Sequence, residues 1–244
     1  MTEFDKTNWA RPDFGKRFIE EADKSVVERR RMLEILKSFF RHHRKDTGDN
    51  TVLDLGCGDG ILTHELLTVD PALSVTLVDG SEAMLERARG RLKAFRGMDY
   101  VRASFQDMLR DDVFLRQFDF IISSLAIHHL SSGEKKELFG LVYSLLSAGG
   151  NFLNMDVVLA PSPLLDSFYM KLWQEWIDER KAALGIGDEG QGDIIRRYKD
   201  NADNKPDTLD YQLEALKGAG FQDVDCYYKY GIFTIFGGRK PYGR

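Results

Sequence analysis

From Thr51 onward short apolar runs alternate with amphipathic stretches, in the order TVLDLG, GILTHELLTV, VTLVDG, SEAMLERARGRLKAF, YVRAS, FDFIISSL, GEKKELFGLVYSLL and GNFLNMDVV. Runs short enough for buried strands, separated by segments with helical spacing, predict right-handed βαβ units and a doubly wound, mostly parallel α/β sheet. Upstream, residues 16–45 read as helix, with Val27, Met32, Ile35, Leu36 and Phe39 near helical spacing and the many basic residues on a solvated face. After Val158 the alternation breaks into a Pro-bounded amphipathic helix, the Gly-rich GIGDEGQGD and a polar stretch. A helix LDYQLEALKGAGF then leads into DVDCYYKYG and IFTIFGGRK, two strand-like runs joined at a glycine, which predict an antiparallel hairpin closing the sheet edge. The expected organisation is a helical cap over 1–45, an α/β core over 46–158, a helical insertion capping it over 159–208, and a helix with a hairpin over 209–244 that completes a seven-stranded Rossmann-like sheet.

Composition narrows the class. A chain of 244 residues, 43% hydrophobic and 30% charged, can bury a sizeable core and fits one large domain or one domain with an appended cap. Cys57 and Cys226 form neither a disulfide framework nor a metal-ligand spacing, which favours a reducing compartment. The first residues carry no apolar leader pattern and no run approaches the length of a membrane span, so a cytoplasmic protein without a membrane partner is expected. A formal net charge of -5 argues against a dedicated nucleic-acid binder.

The chemistry begins at VLDLGCGDG, where three alternating glycines follow a predicted buried strand. Glycine costs roughly 1 kcal/mol relative to Ala in regular structure, so its repetition marks places where a side chain would obstruct a ligand. A Gly-rich turn after the first strand of a doubly wound sheet lies at the switch point, where such folds bind ligands. Asp79 ends the second strand roughly 20 residues on, placed to accept hydrogen bonds from both hydroxyls of a ribose. A nucleoside is implied. The spacing of Gly56, Gly58 and Gly60 does not fit the G-x-G-x-x-G of a pyrophosphate loop.

These motifs resemble the class I S-adenosylmethionine-dependent methyltransferases, of the small type 11/12-like kind, over residues 51–158. VLDLGCGDG matches their D/E-x-G-x-G-x-G signature, VTLVDGSEAMLERAR their second motif, FDFIISSLAIHHL their fourth, and LLSAGGNFLNMDVV the helix-turn-strand that follows. The resemblance implies S-adenosylmethionine as cofactor and S-adenosylhomocysteine as product. It further implies a cofactor site made of Asp54, Gly56, Cys57, Gly58, Asp79, Gly80, Met84, Ser104, Phe105 and Ser124. Asp54 would complement the ammonium end, Asp79 the ribose, and Met84 the adenine face. Where the family often carries an acidic residue for the adenine amino group this chain has Ser104, so Ser104 and the Phe105 backbone should edge the adenine, with Gln106 or Asp107 as amino-group partners.

Methyl transfer is an in-line displacement on an activated sulfonium, so alignment and exclusion of water supply much of the rate. A base is needed only if the acceptor loses a proton, and His128 and His129 stand where the fourth strand opens over the methyl group. No metal is expected, because Ser123 and Ser124 occupy the strand end where metal-assisted relatives place acidic ligands, leaving Asp156 without partners. No G-x-S-x-G elbow suggests a hydrolase, and no N-P-P-Y-type motif suggests a base amine as acceptor. The acceptor should be a small anionic or aromatic molecule chosen by residues 1–45 and 159–210, with Trp173, Tyr198 and Arg197 as candidate substrate contacts. Arg197 should face the site and not solvent, and GIGDEGQGD could serve as a hinge. The insertion, Arg197 and the closing aromatic strands also resemble, more distantly, the carboxy-S-adenosylmethionine synthases of tRNA wobble-uridine modification, though GCGDG and IHHL depart from their motifs. A non-catalytic nucleoside-binding protein on the same fold is the reading from another class. The oligomeric state is open, a homodimer included.

Overall fold

The structure, a computed structural model, describes residues 4–46, 49–111, 113–114, 116–185 and 194–243. Its centre is a seven-stranded sheet of order β3-β2-β1-β4-β5-β7-β6, with β1 Thr51–Leu55, β2 Ser74–Asp79, β3 Met98–Arg102, β4 Phe118–Ser124, β5 Leu146–Val157, β6 Gln222–Tyr230 and β7 Phe233–Arg239. The first five strands pair in parallel; β7 runs antiparallel between β5 and β6. In sequence order the core helices are α3 Ile61–Leu67, α4 Glu82–Leu92, α5 Phe105–Arg110, α6 Ser132–Leu145 and α9 Leu209–Gly218; α1 Pro12–Ser25 and α2 Arg29–His43 precede them, and α7 Pro163–Leu184 and α8 Ile194–Asp200 lie between β5 and α9.

The period-2 pattern of the strands sorts the core into two layers. Val52, Val75, Leu77, Phe120 and Ile122 face α2, α3, α4 and α7, whereas Leu53, Leu55 and Ile121 pack with α5, α6 and α9. With both faces covered, the central strands are apolar throughout and their few polar side chains stand out. Asp54 is one of these, on the Val52 face and buried.

Residues 16–45 form two helices and not the one expected. Glu28 adopts a left-handed backbone (φ 50°) between α1 and α2, and Val26 and Val27 turn inward. The break exposes the carbonyl of Ser25, which accepts the indole N–H of Trp173 from α7 at 2.8 Å.

The segment after β5 begins and ends at one place, because Leu159 and Thr208 form a parallel bridge. Ser162 caps α7, its hydroxyl accepting the N–H of Leu165, and Pro163 opens the helix where no N–H is required. Residues 201–207 then return across the carboxyl end of the sheet. Lys135 of α6, fully buried, donates to the carbonyl of Lys205 and, at 2.7 Å, to the carboxylate of Asp207. The N–H of Lys205 donates to the carbonyl of His128 at 2.8 Å. The Gly-rich stretch proposed as a hinge lies, from residue 186 to 193, outside the described residues.

Candidate active site

Order reverses between β1 and β4, and the carboxyl ends of these two strands open onto a cavity of about 420 Å³. The turn after β1 forms its floor. Gly56, Gly58 and Gly60 all have positive φ, which disfavours any residue with a Cβ. Their surroundings differ. A Cβ on Gly56 would lie 2.6 Å from that of Ala126, so this glycine lets two loops touch. A Cβ on Gly58 would meet no atom within 4 Å and would project into open space. Open space against a bare backbone is what a closely approaching ligand requires.

Asp79, at the end of β2, receives the N–H of Gly58 at 2.9 Å and that of Ser81 at 2.8 Å, one on each carboxylate oxygen. Each oxygen keeps lone-pair capacity for a further donor. Burial raises its pKa above the ordinary carboxylate range, against the two backbone donors that lower it. Asp54, on the cavity wall, is more extreme. Burial pushes its carboxyl up to about 7, opposed by the hydroxyl of Thr63, which donates to it at 2.7 Å. A buried acid of this kind is primed for a cationic partner. Cys57 is buried beside it, its thiol pushed well up by burial and by neighbouring carboxylates, so it lines the cavity as a small inert group.

Gly80, Met84, Phe105 and Ser124 complete the walls, with Phe4 of the N-terminal segment over Gly80. Ser104 lines the cavity while its hydroxyl caps α5, accepting the N–H of Asp107 and donating to the Asp107 carboxylate. That carboxylate is also held by Arg110 at 2.6 Å and is absent from the lining, so the expected Asp107 contact with an adenine amino group is not available. Gln106 does line the cavity, with its amide donating to Glu134 at 2.8 Å. Glu134 was not anticipated, although the S-x-x-E of Ser131 to Glu134 is a readable capping box.

A second cavity of about 390 Å³ adjoins the first, and Trp9, Phe18, Leu125 and His129 line both. Leu125 holds a left-handed backbone (φ 49°), costly for a residue with a γ-branched side chain, at this junction. Its N–H donates to the carbonyl of Met155.

The histidine pair follows, in the short 3-10 turn Ile127–His129. His128 lines the second cavity, and its Nδ1 is 2.6 Å from Asp156 at the end of β5. Asp156 is fully buried and also accepts the N–H groups of His128 and Val157. With Nδ1–H donating to a carboxylate, the His128 Nε2 is left as an acceptor with no partner among the described residues. Asp156, expected to lack acidic partners for a metal, instead forms a carboxylate–imidazole pair with His128. His129 places Nδ1 3.1 Å from the carbonyl of Asp203, so its buried, unpartnered Nε2 is also an acceptor. Burial, and secondarily the neighbouring His128, hold its pKa well below the usual imidazole range.

The candidate substrate residues all line the second cavity and not the first. Trp173 is buried, edge-on to Tyr198 and Phe233. Arg197 departs from expectation: its side chain is 39% exposed and paired with Glu21 of α1 at 2.9 Å, so it sits at the mouth with part of its surface in solvent. Among the described residues no group of three or more His, Cys, Asp or Glu could hold a metal ion, and no helix is long and apolar enough to cross a membrane.

Residues 53–152, which span β1 to β5 with the glycine turn and both histidines, match the model of a methyltransferase-domain family. That domain, together with the relatives and solved structures it resembles, indicates an S-adenosylmethionine-dependent methyltransferase. Along most of its length this methyltransferase is similar to a carboxy-S-adenosyl-L-methionine synthase from Nautilia profundicola, 24% identical over 84% of the chain and 80% of the relative. A shorter stretch is 32% identical to a demethylmenaquinone methyltransferase from Leptospira interrogans, over 54% of the chain and 49% of the relative. Among solved structures, an O-methyltransferase family protein from Burkholderia thailandensis superposes with a TM-score of 0.67 at 14% identity over 98% of the chain. Human N-acetylserotonin methyltransferase, solved with its cofactor, superposes with a TM-score of 0.55 at 17% identity over 93% of the chain. The methyltransferase spans 64% and 59% of those two longer chains, and at such identities the likeness is one of fold.

Proposed function

We propose that the first cavity holds S-adenosylmethionine and the second a small acceptor whose reacting oxygen must lose a proton. Gly58 leaves the space that the cofactor's amino-acid end would fill, Asp54 stands ready for its ammonium, and Asp79 keeps acceptor capacity for the ribose hydroxyls. When bound, the cofactor supplies a methyl group on a positively charged sulfur, already activated for displacement.

The chain's own work is to seat the acceptor, exclude water and move one proton. The observation that carries this reading is the His128–Asp156 pair on the wall of a cavity that abuts the cofactor's. His128 would take the acceptor's proton on its Nε2 as the acceptor oxygen gains the methyl group that the bound cofactor would supply, the electron pair of the former carbon–sulfur bond remaining with the cofactor. Asp156 then stabilises the imidazolium and fixes the tautomer that leaves Nε2 free. His129 suits that role less well, since its burial opposes any positive charge. It is assigned as a neutral hydrogen-bond acceptor at the junction.

Replacing His128 by Asn should lower kcat by about 10²- to 10⁴-fold, as for loss of a general base, with S-adenosylhomocysteine affinity unchanged in calorimetry. Asp156→Asn should lower kcat in the same direction. Full activity in both variants would remove the base and leave the site to act by alignment alone.

The similarity to carboxy-S-adenosyl-L-methionine synthases over most of the chain favours a second reading, in which the cofactor itself is the acceptor of a carboxyl group. Mass spectrometry of the cofactor after turnover separates the two, because S-adenosylhomocysteine accumulates in the first case and a carboxylated cofactor in the second.

A further inference from the structure

The second cavity carries more information than its position. Its apolar lining is largely aromatic and comes from two separate parts of the chain. Trp9 meets Phe14 and Phe18 edge-on, with ring centroids 5.1 and 5.2 Å apart. Trp173 meets Tyr198 and Phe233 in the same way, at 5.4 and 5.2 Å. Such walls favour a flat ring, which can stack on or meet their edges over a large area. Polar atoms sit at the ends of this box. His128 is at the end next to the cofactor cavity; at the mouth are Arg17, Glu21, Arg196, Arg197 and Asp200.

Among the described residues, charge at the mouth does not cancel. Arg197 pairs with Glu21 at 2.9 Å, and Arg196 is 3.8 Å from Asp200. Arg17 of α1 lies on the same helical face as Glu21 and is exposed; it has no ion pair among the described residues. The described lining therefore carries one positive charge in excess, on a group able to bind a planar anion through two parallel hydrogen bonds.

Resting on the proposed methyl transfer, we infer that the acceptor is a hydroxylated aromatic compound bearing one anionic group, with the ring in the aromatic box, the hydroxyl at His128 and the anion on Arg17. The anion is a carboxylate or a phosphate, the guanidinium being suited to both. Arg197, tied to Glu21, supports the mouth and is not the first contact.

The test uses the full-length protein saturated with S-adenosylhomocysteine, and a matched set of single-ring and two-ring phenols carrying a free carboxylate, a phosphate monoester, or the neutral methyl ester. Calorimetry reads binding independently of turnover. At least one phenolic anion should bind about ten- to a hundredfold more tightly than its neutral ester, the scale of a charge-assisted hydrogen bond. The Arg17→Gln variant should lose that preference while binding S-adenosylhomocysteine as the parent does; Arg17→Lys should restore part of it. Whether the carboxylate or the phosphate series binds identifies the anion. Absence of binding by every anionic phenol, equal affinity for anion and ester, or a preference that survives in Arg17→Gln overturns the inference. Arg17-dependent binding without methyl transfer to the bound phenol keeps the subsite and instead removes the proposed reaction.

Discussion

Asp54 links cofactor binding to pH in a way that can be measured. In the free site its carboxyl is pushed up to about 7, chiefly by burial, from an ordinary value of 3.8. A ligand ammonium beside it favours the charged form and must draw that value down. Binding at neutral pH therefore releases a proton, and affinity falls as the pH drops below about 7. For a free value of about 7 and a bound value well under 6, S-adenosylhomocysteine should bind about eightfold more weakly near pH 6 than near pH 7.5. Titration calorimetry in two buffers of different ionisation enthalpy should show release of about half a proton at pH 7. Asp79 is the other carboxylate in the site whose pKa is raised, so the control is Asp54→Asn, which retains any contribution from Asp79. That variant should bind weakly at every pH and lose most of the slope.

Stability should move the opposite way. Between the unfolded and folded pKa values of Asp54 the folded state holds the extra proton, so stability is lost as pH rises from about 4 to about 7, by up to about 4 kcal/mol. Asp54→Asn escapes this loss, and above neutral pH the free variant should melt at a higher temperature than the parent. A parent protein with pH-independent affinity, or a variant that keeps the parent's slope, would refute the assignment of the linkage to Asp54.

Two further outcomes follow from groups outside the chemistry. Lys135→Met leaves the Asp207 carboxylate without its buried partner and should cost about 3 to 5 kcal/mol in urea unfolding; Lys135→Met combined with Asp207→Asn should cost markedly less than Lys135→Met alone. At Leu125, where the backbone is left-handed, Leu125→Gly should be more stable than Leu125→Ala by about 1 kcal/mol in the same assay, the reverse of the usual order for Gly and Ala.

The sheet was legible because buried parallel strands and covering helices have different periods, and β1 to β5 fall on the runs read from sequence. The glycine turn and Asp79 were legible because local backbone demands write themselves into neighbouring residues. Other features were hidden for reasons of physics. The break at Glu28 lies inside an unbroken helical pattern, and only tertiary packing of Val26 and Val27 selects it. Asp156 and His128 belong to different strand ends brought together by the parallel register of β4 and β5, so no local spacing announces them. Arg17 differs from the neighbouring basic residues of α1 in lining the second cavity, which the local sequence does not announce. Asp107, one of the two alternatives read for the adenine amino group, shows the converse: a side chain near the right place is taken up by a helix cap.

The aromatic box draws its walls from residues before β1 and beyond β5, whereas the glycine turn, Asp54 and Asp79 all lie within residues 53–152. Inherited change can therefore fall on the two sets separately. A lineage could exchange the part of the box carried by α7 and α8, acquire a different acceptor, and still inherit the glycine turn, Asp54 and Asp79. The bridge between Leu159 and Thr208 makes that segment easier to exchange, since a replacement needs only two ends that meet. Chimaeras that swap this segment between homologues should thus carry acceptor preference with the graft and leave cofactor affinity with the host.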